Sequence, residues 1–157
     1  MSLIAWIENS ALGEWVRVSI WGYPMMITLH SLGLAIMVGM SVVLSLRVLG
    51  LFAVIPYASL HRLLRIAWLG FLVNFLSGSC LFANSATRFI VDWLFILKMT
   101  MVIVGAMLVG IMQMMIKTAA SSGGDEAAGV SLKVIAWATI TAWAVAMVAG
   151  RFIAYPH

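Results

Sequence analysis

Charge is what this chain has least of. Its 157 residues include nine Lys or Arg and five Asp or Glu, 9% charged against 64% hydrophobic. A soluble domain is about a quarter charged, so these few charges cannot cover a water-facing globule, and a bilayer is the solvent this composition requires. The single cysteine, Cys80, excludes an intrachain disulfide and any Cys-based zinc site. No Gly-rich phosphate loop, catalytic triad or HExxH pattern occurs. The net charge of +4 comes from basic residues placed singly between apolar runs. They read as membrane-topology signals, not as a nucleic-acid surface. The first 20 residues carry Glu8, Glu14 and Arg17 and lack the basic start and apolar core of a cleavable signal peptide.

What the chain has in quantity is long apolar runs. A helix needs about 20 mostly apolar residues to cross the hydrocarbon core. Four runs qualify, over residues 23–46, 63–83, 90–116 and 130–154. Each must be helical, because lipid offers the backbone no hydrogen-bond partner. The connections are "RVLGLFAVIPYASLHR", the short turn "NSATR" and the polar "KTAASSGGDEAAG". The expected architecture is therefore all-α: one membrane domain over residues 1–157, built as a four-helix bundle. Before it, Ile4, Ile7, Ala11, Trp15 and Val18 recur at helical spacing, with Trp6, Trp15 and Trp21 suited to the headgroup level. This predicts an amphipathic helix over 2–19 lying in the interface and ending before Pro24. Call side A the face where the first span begins. Side A carries Arg17, Arg88 and Arg151; side B carries Arg47, Arg62, Arg65, Lys117 and Lys133. The positive-inside rule then predicts a cytoplasmic side B and both termini outside.

The remaining basic residue, Lys98, lies inside the third span, and His30 lies inside the first. Counted at about 1.5 Å per residue, His30 is roughly 10 Å and Lys98 roughly 12 Å from side A. The second span runs the other way and brings Asn74, Ser77 and Ser79 to about 7–15 Å from the same side. Three helices thus carry polar groups to one level. A lysine near a helix centre costs about 2.5–3.5 kcal/mol to insert. Lys98 either snorkels back toward side A or faces the interior, where an anion or carbonyl must meet it. Asp92, six residues earlier, is on the wrong face to serve. His30 is either interhelical glue through Asn74, Ser77 or a backbone carbonyl, or a ligand to haem iron or copper. His61 begins the second span on side B and cannot reach the same iron, and His157 is the chain terminus. Met25, Met26, Met99 and Met147 lie in the side A half as potential sixth ligands. Ala35–Gly39, Ala106–Gly110 and Ala146–Gly150 are small-xxx-small pairs that favour close helix packing and a homo-oligomer.

The blocks "WIENSALGEWVRVSIWGYP", "LHSLGLAIMVG…LRVLG" and "GFLVNFLSGSCLFA…FILKM" resemble a family of uncharacterised bacterial four-helix membrane proteins, which implies residence in the inner membrane. His30, the basic end of the first span and the Trp93…Lys98 block are more distantly similar to the copper-resistance D proteins and the HemJ-type protoporphyrinogen oxidases. That layout, an early-span histidine with a later-span lysine, implies haem b or porphyrin chemistry. His30, Lys98, Asn74 and Ser77 are the candidate cofactor-binding residues, with His30 as the metal ligand. Three functions follow as expectations. One is a b-type haem redox or electron-transfer subunit. Another is a non-enzymatic accessory subunit of a larger membrane complex. The third is copper or small-solute handling.

Overall fold

The structure, a computed structural model, describes residues 3–52, 54–121 and 129–153. It is an all-α integral membrane bundle. The helices are α1 Leu3–Glu8, α2 Ala11–Val18, α3 Gly22–Val48, α4 Tyr57–Asn84, α5 Ala86–Phe89, α6 Trp93–Ser121 and α7 Val130–Phe152. Four of them, α3, α4, α6 and α7, are long and apolar enough to cross a membrane. Their outward surfaces carry large apolar side chains such as Leu69, Phe75, Ile103, Met107 and Trp137. Such faces suit lipid and would be untenable in water.

The helices pack as α4 on α3, α3 on α7 and α7 on α6. The α6–α7 seam shows its register in two contacts. The Lys98 stem lies against Gly150, where a Cβ would sit 3.3 Å from Lys98 Cδ and Cε, and the Trp143 ring lies 3.0 Å from where a Cβ of Gly105 would be. Both members of each helix are seven residues apart, the repeat of an antiparallel coiled coil. Seven residues further along, Met112 and Ala136 are fully buried. Large residues therefore face small ones down the seam. On the fourth side, α4 and α6 meet through long side chains. Trp68 Nε1 donates to Gln113 Oε1 at 3.1 Å. Phe82 and Phe95 stack at 5.6 Å, with Phe89 of α5 against both at 6.4 and 5.3 Å.

Several boundaries differ from expectation. The segment 2–19 is two helices, broken at Asn9 and Ser10. Asn9 Nδ2 folds back onto the Ala5 carbonyl at 2.8 Å, and Ser10 Oγ accepts from Gly13 N at 3.3 Å as an N-cap. Local side-chain bonding of this kind competes with helix continuation. The break resets the helical phase: Gly13 and Val16 face the bundle, while Ala11, Trp15 and Val18 are exposed. Gly13 is pressed so close that a Cβ would lie 2.7 Å from the Ala83 carbonyl oxygen. Trp6 and Trp21 stay outward, 65% and 76% exposed, as headgroup-level tryptophans should be. The short turn after α4 contains one helical turn, α5, and α4 begins already at Tyr57, right after Pro56, inside the stretch read as a connection. Proline is well placed just before a helix, where its missing N–H costs nothing.

The N-terminal helices are fastened across the side A end. Thr87 donates from its backbone N and from Oγ1 to Glu8 Oε2, at 2.9 and 2.6 Å, and Arg17 Nη1 lies 4.0 Å from Glu8 Oε1. The Thr87 hydroxyl first, then its backbone N–H, and more weakly Arg17, hold the Glu8 carboxyl below the usual carboxylate range.

Candidate functional site: an intramembrane histidine–lysine pair

His30 and Asn74 clamp α3 to α4 by exchanging hydrogen bonds. His30 Nδ1–H donates to the Asn74 carbonyl at 3.0 Å, and Asn74 Nδ2 donates to the His30 carbonyl at 3.3 Å. A carbonyl can only accept, so the bond places the proton of a neutral imidazole on Nδ1 and leaves the Nε2 lone pair free. Lys98 Nζ donates to that lone pair at 3.4 Å from across the bundle. Ser77 Oγ lies 3.5 Å from His30 Nδ1 and donates to the Val73 carbonyl at 2.6 Å. The structure therefore brings His30, Asn74, Ser77 and Lys98 into one cluster. Asn74 and Ser77 are buried, 9% and 3% exposed, so their polar atoms are satisfied within the protein.

Lys98 points inward to His30, which rules out the snorkelling arrangement for this conformation. Its depth is smaller than expected. Because α6 starts at Trp93 and not at residue 90, Lys98 stands about 8 Å into the helix. Asp92 is the N-cap side chain, accepting from Leu94 N at 2.9 Å. Ser79 belongs to another face, exposed and donating to the Phe75 carbonyl at 2.9 Å. His61 stands in the first turns of α4, about 20 Å along the axis from Asn74, and His157 lies outside the described residues. Met25, Met99 and Met147 are 45%, 37% and 44% exposed. Met26 is half-buried, one turn before His30 on α3. Among the described residues no group of three His, Cys, Asp or Glu side chains could hold a metal ion.

Sequence reasoning missed the glycines that make the cluster. A Cβ at Gly33 would lie 2.6 Å from both Asn74 N and the Gly70 carbonyl oxygen, so only glycine lets the two backbones meet. A Cβ at Gly78 would lie 3.0 Å from His30 Cε1. The signal was in the spacing. Gly33 follows His30 by three residues, and Gly70 and Gly78 flank Asn74 by four on either side, all on one helix face. Of the three small-xxx-small pairs, Ala146–Gly150 is the one whose glycine lies in a seam of this bundle. Gly39 and Gly110 have nothing within 4 Å of a built Cβ, and Ala35 is exposed. Also missed was Trp143. It is 1% exposed, and its Nε1–H has no hydrogen-bond partner among the described residues.

Fold and site together define a four-span membrane protein with a histidine and a lysine joined in its side A half. No protein-family model, curated protein or solved structure matches the chain.

Proposed function

We propose that this protein is a membrane redox or electron-transfer subunit in which His30 and Lys98 hold a cofactor, with haem b as that cofactor. The observation that carries the reading is the orientation of the imidazole. A ring whose Nδ1–H is fixed by a backbone carbonyl, at 3.0 Å here, presents Nε2 as the metal ligands of many proteins do. The donor set fits a five-coordinate haem. In the present arrangement Lys98 engages Nε2, so ligation requires the ammonium to turn aside. Turned aside, it is a cation ready for a propionate. Bound haem would supply one-electron chemistry. The chain's own contributions are the Asn74 carbonyl that sets the tautomer, the glycine surface that seats the ring, and the Lys98 charge.

The test is an absorption spectrum of the purified full chain. A Soret band should be present, should vanish or shift strongly in His30→Ala, and should be unchanged in His61→Ala. A colourless protein after expression with added haem precursor, or a normal band in His30→Ala, removes haem ligation from the account. His30 would then be interhelical glue.

A docking role has its own support, for the exposed Ala35–Gly39 notch on α3 is where a second copy or a larger complex would pack. This second reading predicts a colourless protein that purifies with a fixed partner.

The orientation we propose, in a bacterial inner membrane, is side B in the cytoplasm. Five basic residues on side B against three on side A support it. A Gly124→Cys variant in a Cys80→Ser background would report on the loop that lies outside the described residues. It should resist an impermeant thiol reagent in intact cells and react after lysis. Rapid labelling of intact cells would invert the orientation.

A further inference from the structure

We propose that the His30–Lys98 pair is entered from side A, through the mouth of the seam between α4 and α6, and that α5 is the lid on that mouth. The inference rests on reading the pair as a ligand site, but not on haem being the ligand.

Three observations meet here. The first is a weak seam. Among the described residues α3 packs closely on α4 and α7, and α7 on α6, but the backbones of α4 and α6 make no comparable approach. Side chains bridge that side of the bundle. Toward side B the bridge is the Trp68–Gln113 hydrogen bond. At the side A end it is the three rings of Phe82, Phe89 and Phe95, stacked within 25° of parallel. The second observation is where those rings stand. Phe82 follows Gly78 by one turn of α4, and a Cβ at Gly78 would lie 3.0 Å from His30 Cε1. Phe95 precedes Lys98 by one turn of α6. Counted along the helices, Phe82 and Phe95 are about 3 Å from the side A ends, and Gly78 and Lys98 about 8–9 Å. The rings therefore cap the pair from side A. Beneath them His30 and Lys98 are half-buried, so protein does not fill all the space around them. The third observation is how the cap is held. Phe89 belongs to α5, a single helical turn. The same turn carries Thr87, whose two bonds to Glu8 Oε2, at 2.9 and 2.6 Å, tie it to α1 across an exposed surface. A short segment with few fastenings opens at lower cost than a packed span. Withdrawing α5 removes the ring on which Phe82 and Phe95 both stack, and leaves those two free to turn aside while the four spans stay in place. Glu8 and Thr87 are thus the clasp, and Phe89 the part of the lid that covers the mouth.

The test is the reactivity of His30 itself. The full chain, without added ligand, is placed in neutral phosphatidylcholine nanodiscs and treated with diethyl pyrocarbonate, which attacks the unprotonated nitrogen of an imidazole. Mass spectrometry reads the rate at His30, with His61 as the internal standard. In Phe89→Ala the His30 rate should rise about tenfold or more relative to His61, as expected where two aromatic contacts that hold a local opening shut are lost. Glu8→Ala leaves every ring in place and opens only the clasp. It should raise the His30 rate about threefold or more, and Thr87→Val, which loses one of the two bonds, by less. Phe75→Ala, on the exposed face of α4, should leave the rate unchanged. A His30 rate that does not respond to Phe89→Ala overturns the proposal. So does a rise shared equally by His61, which would mean that the whole bundle has loosened. A response to Phe89→Ala with none to Glu8→Ala would make the rings ordinary packing and α5 no lid. A colourless protein whose His30 still responds to both variants would defeat the haem reading and leave this one standing. A Soret band in a protein whose His30 responds to neither would do the reverse.

Discussion

Gly33→Val should unseat α3 from α4 and lower stability by about 3 kcal/mol or more, at or beyond the upper end of ordinary overpacking. The reason is that the obstacle is backbone. A Cβ there meets Asn74 N and the Gly70 carbonyl oxygen at 2.6 Å, and neither can rotate away as a side chain could. The helices must part, and the His30–Asn74 exchange is lost with them, because its bonds of 3.0 and 3.3 Å have no length to spare. Gly39→Val is the matched control. It lies on the same helix with nothing within 4 Å of its built Cβ. Thermal unfolding in one detergent should show a large drop for Gly33→Val and almost none for Gly39→Val. Equal drops would mean that helix propensity and not the close approach is being measured.

The second large effect has the opposite sign. Lys98→Met in ligand-free protein should be more stable than wild type, by about 1.5–2.5 kcal/mol, the insertion cost of a membrane lysine less the hydrogen bond it makes. The substitution removes a cation that has no counter-anion among the described residues and replaces it with an apolar stem of similar length, still able to rest on Gly150. What is lost is one 3.4 Å hydrogen bond to His30 Nε2, worth about 1 kcal/mol net in ordinary contexts. A residue that weakens the fold it sits in is the usual mark of a functional position. The measurement is a denaturant titration of both proteins without added ligand. A Lys98→Met protein less stable than wild type would show that the ammonium is a structural member of the bundle, and would count against a ligand-facing role.

Both effects depend on contacts between helices, and that is where sequence and structure part company. The four spans were legible because hydrocarbon leaves no alternative to a helix for runs as long and apolar as these. The common depth of His30, Lys98, Asn74 and Ser77 was legible too, since depth follows from counting residues along antiparallel spans. Small errors entered where a helix end is set by local bonding. The Ser10 cap split the first helix and the Trp93 start moved Lys98 toward side A. Rotation about each helix axis was a different matter. In a span that is apolar on every side, no hydrophobic stripe marks the face that turns inward. Hence Ala35–Gly39 read like an interface and faces outward, while Gly33, Gly70 and Gly78 carried the close approach unnoticed. The sequence alone determined that this is a four-span membrane protein with a polar level in its side A half. Only the tertiary structure decided that His30 gives its Nδ1 proton to a backbone carbonyl of α4 and its Nε2 lone pair to Lys98. Those choices depend on which faces of four nearly uniform helices meet, and side-chain packing across helices settles that, not hydropathy along them.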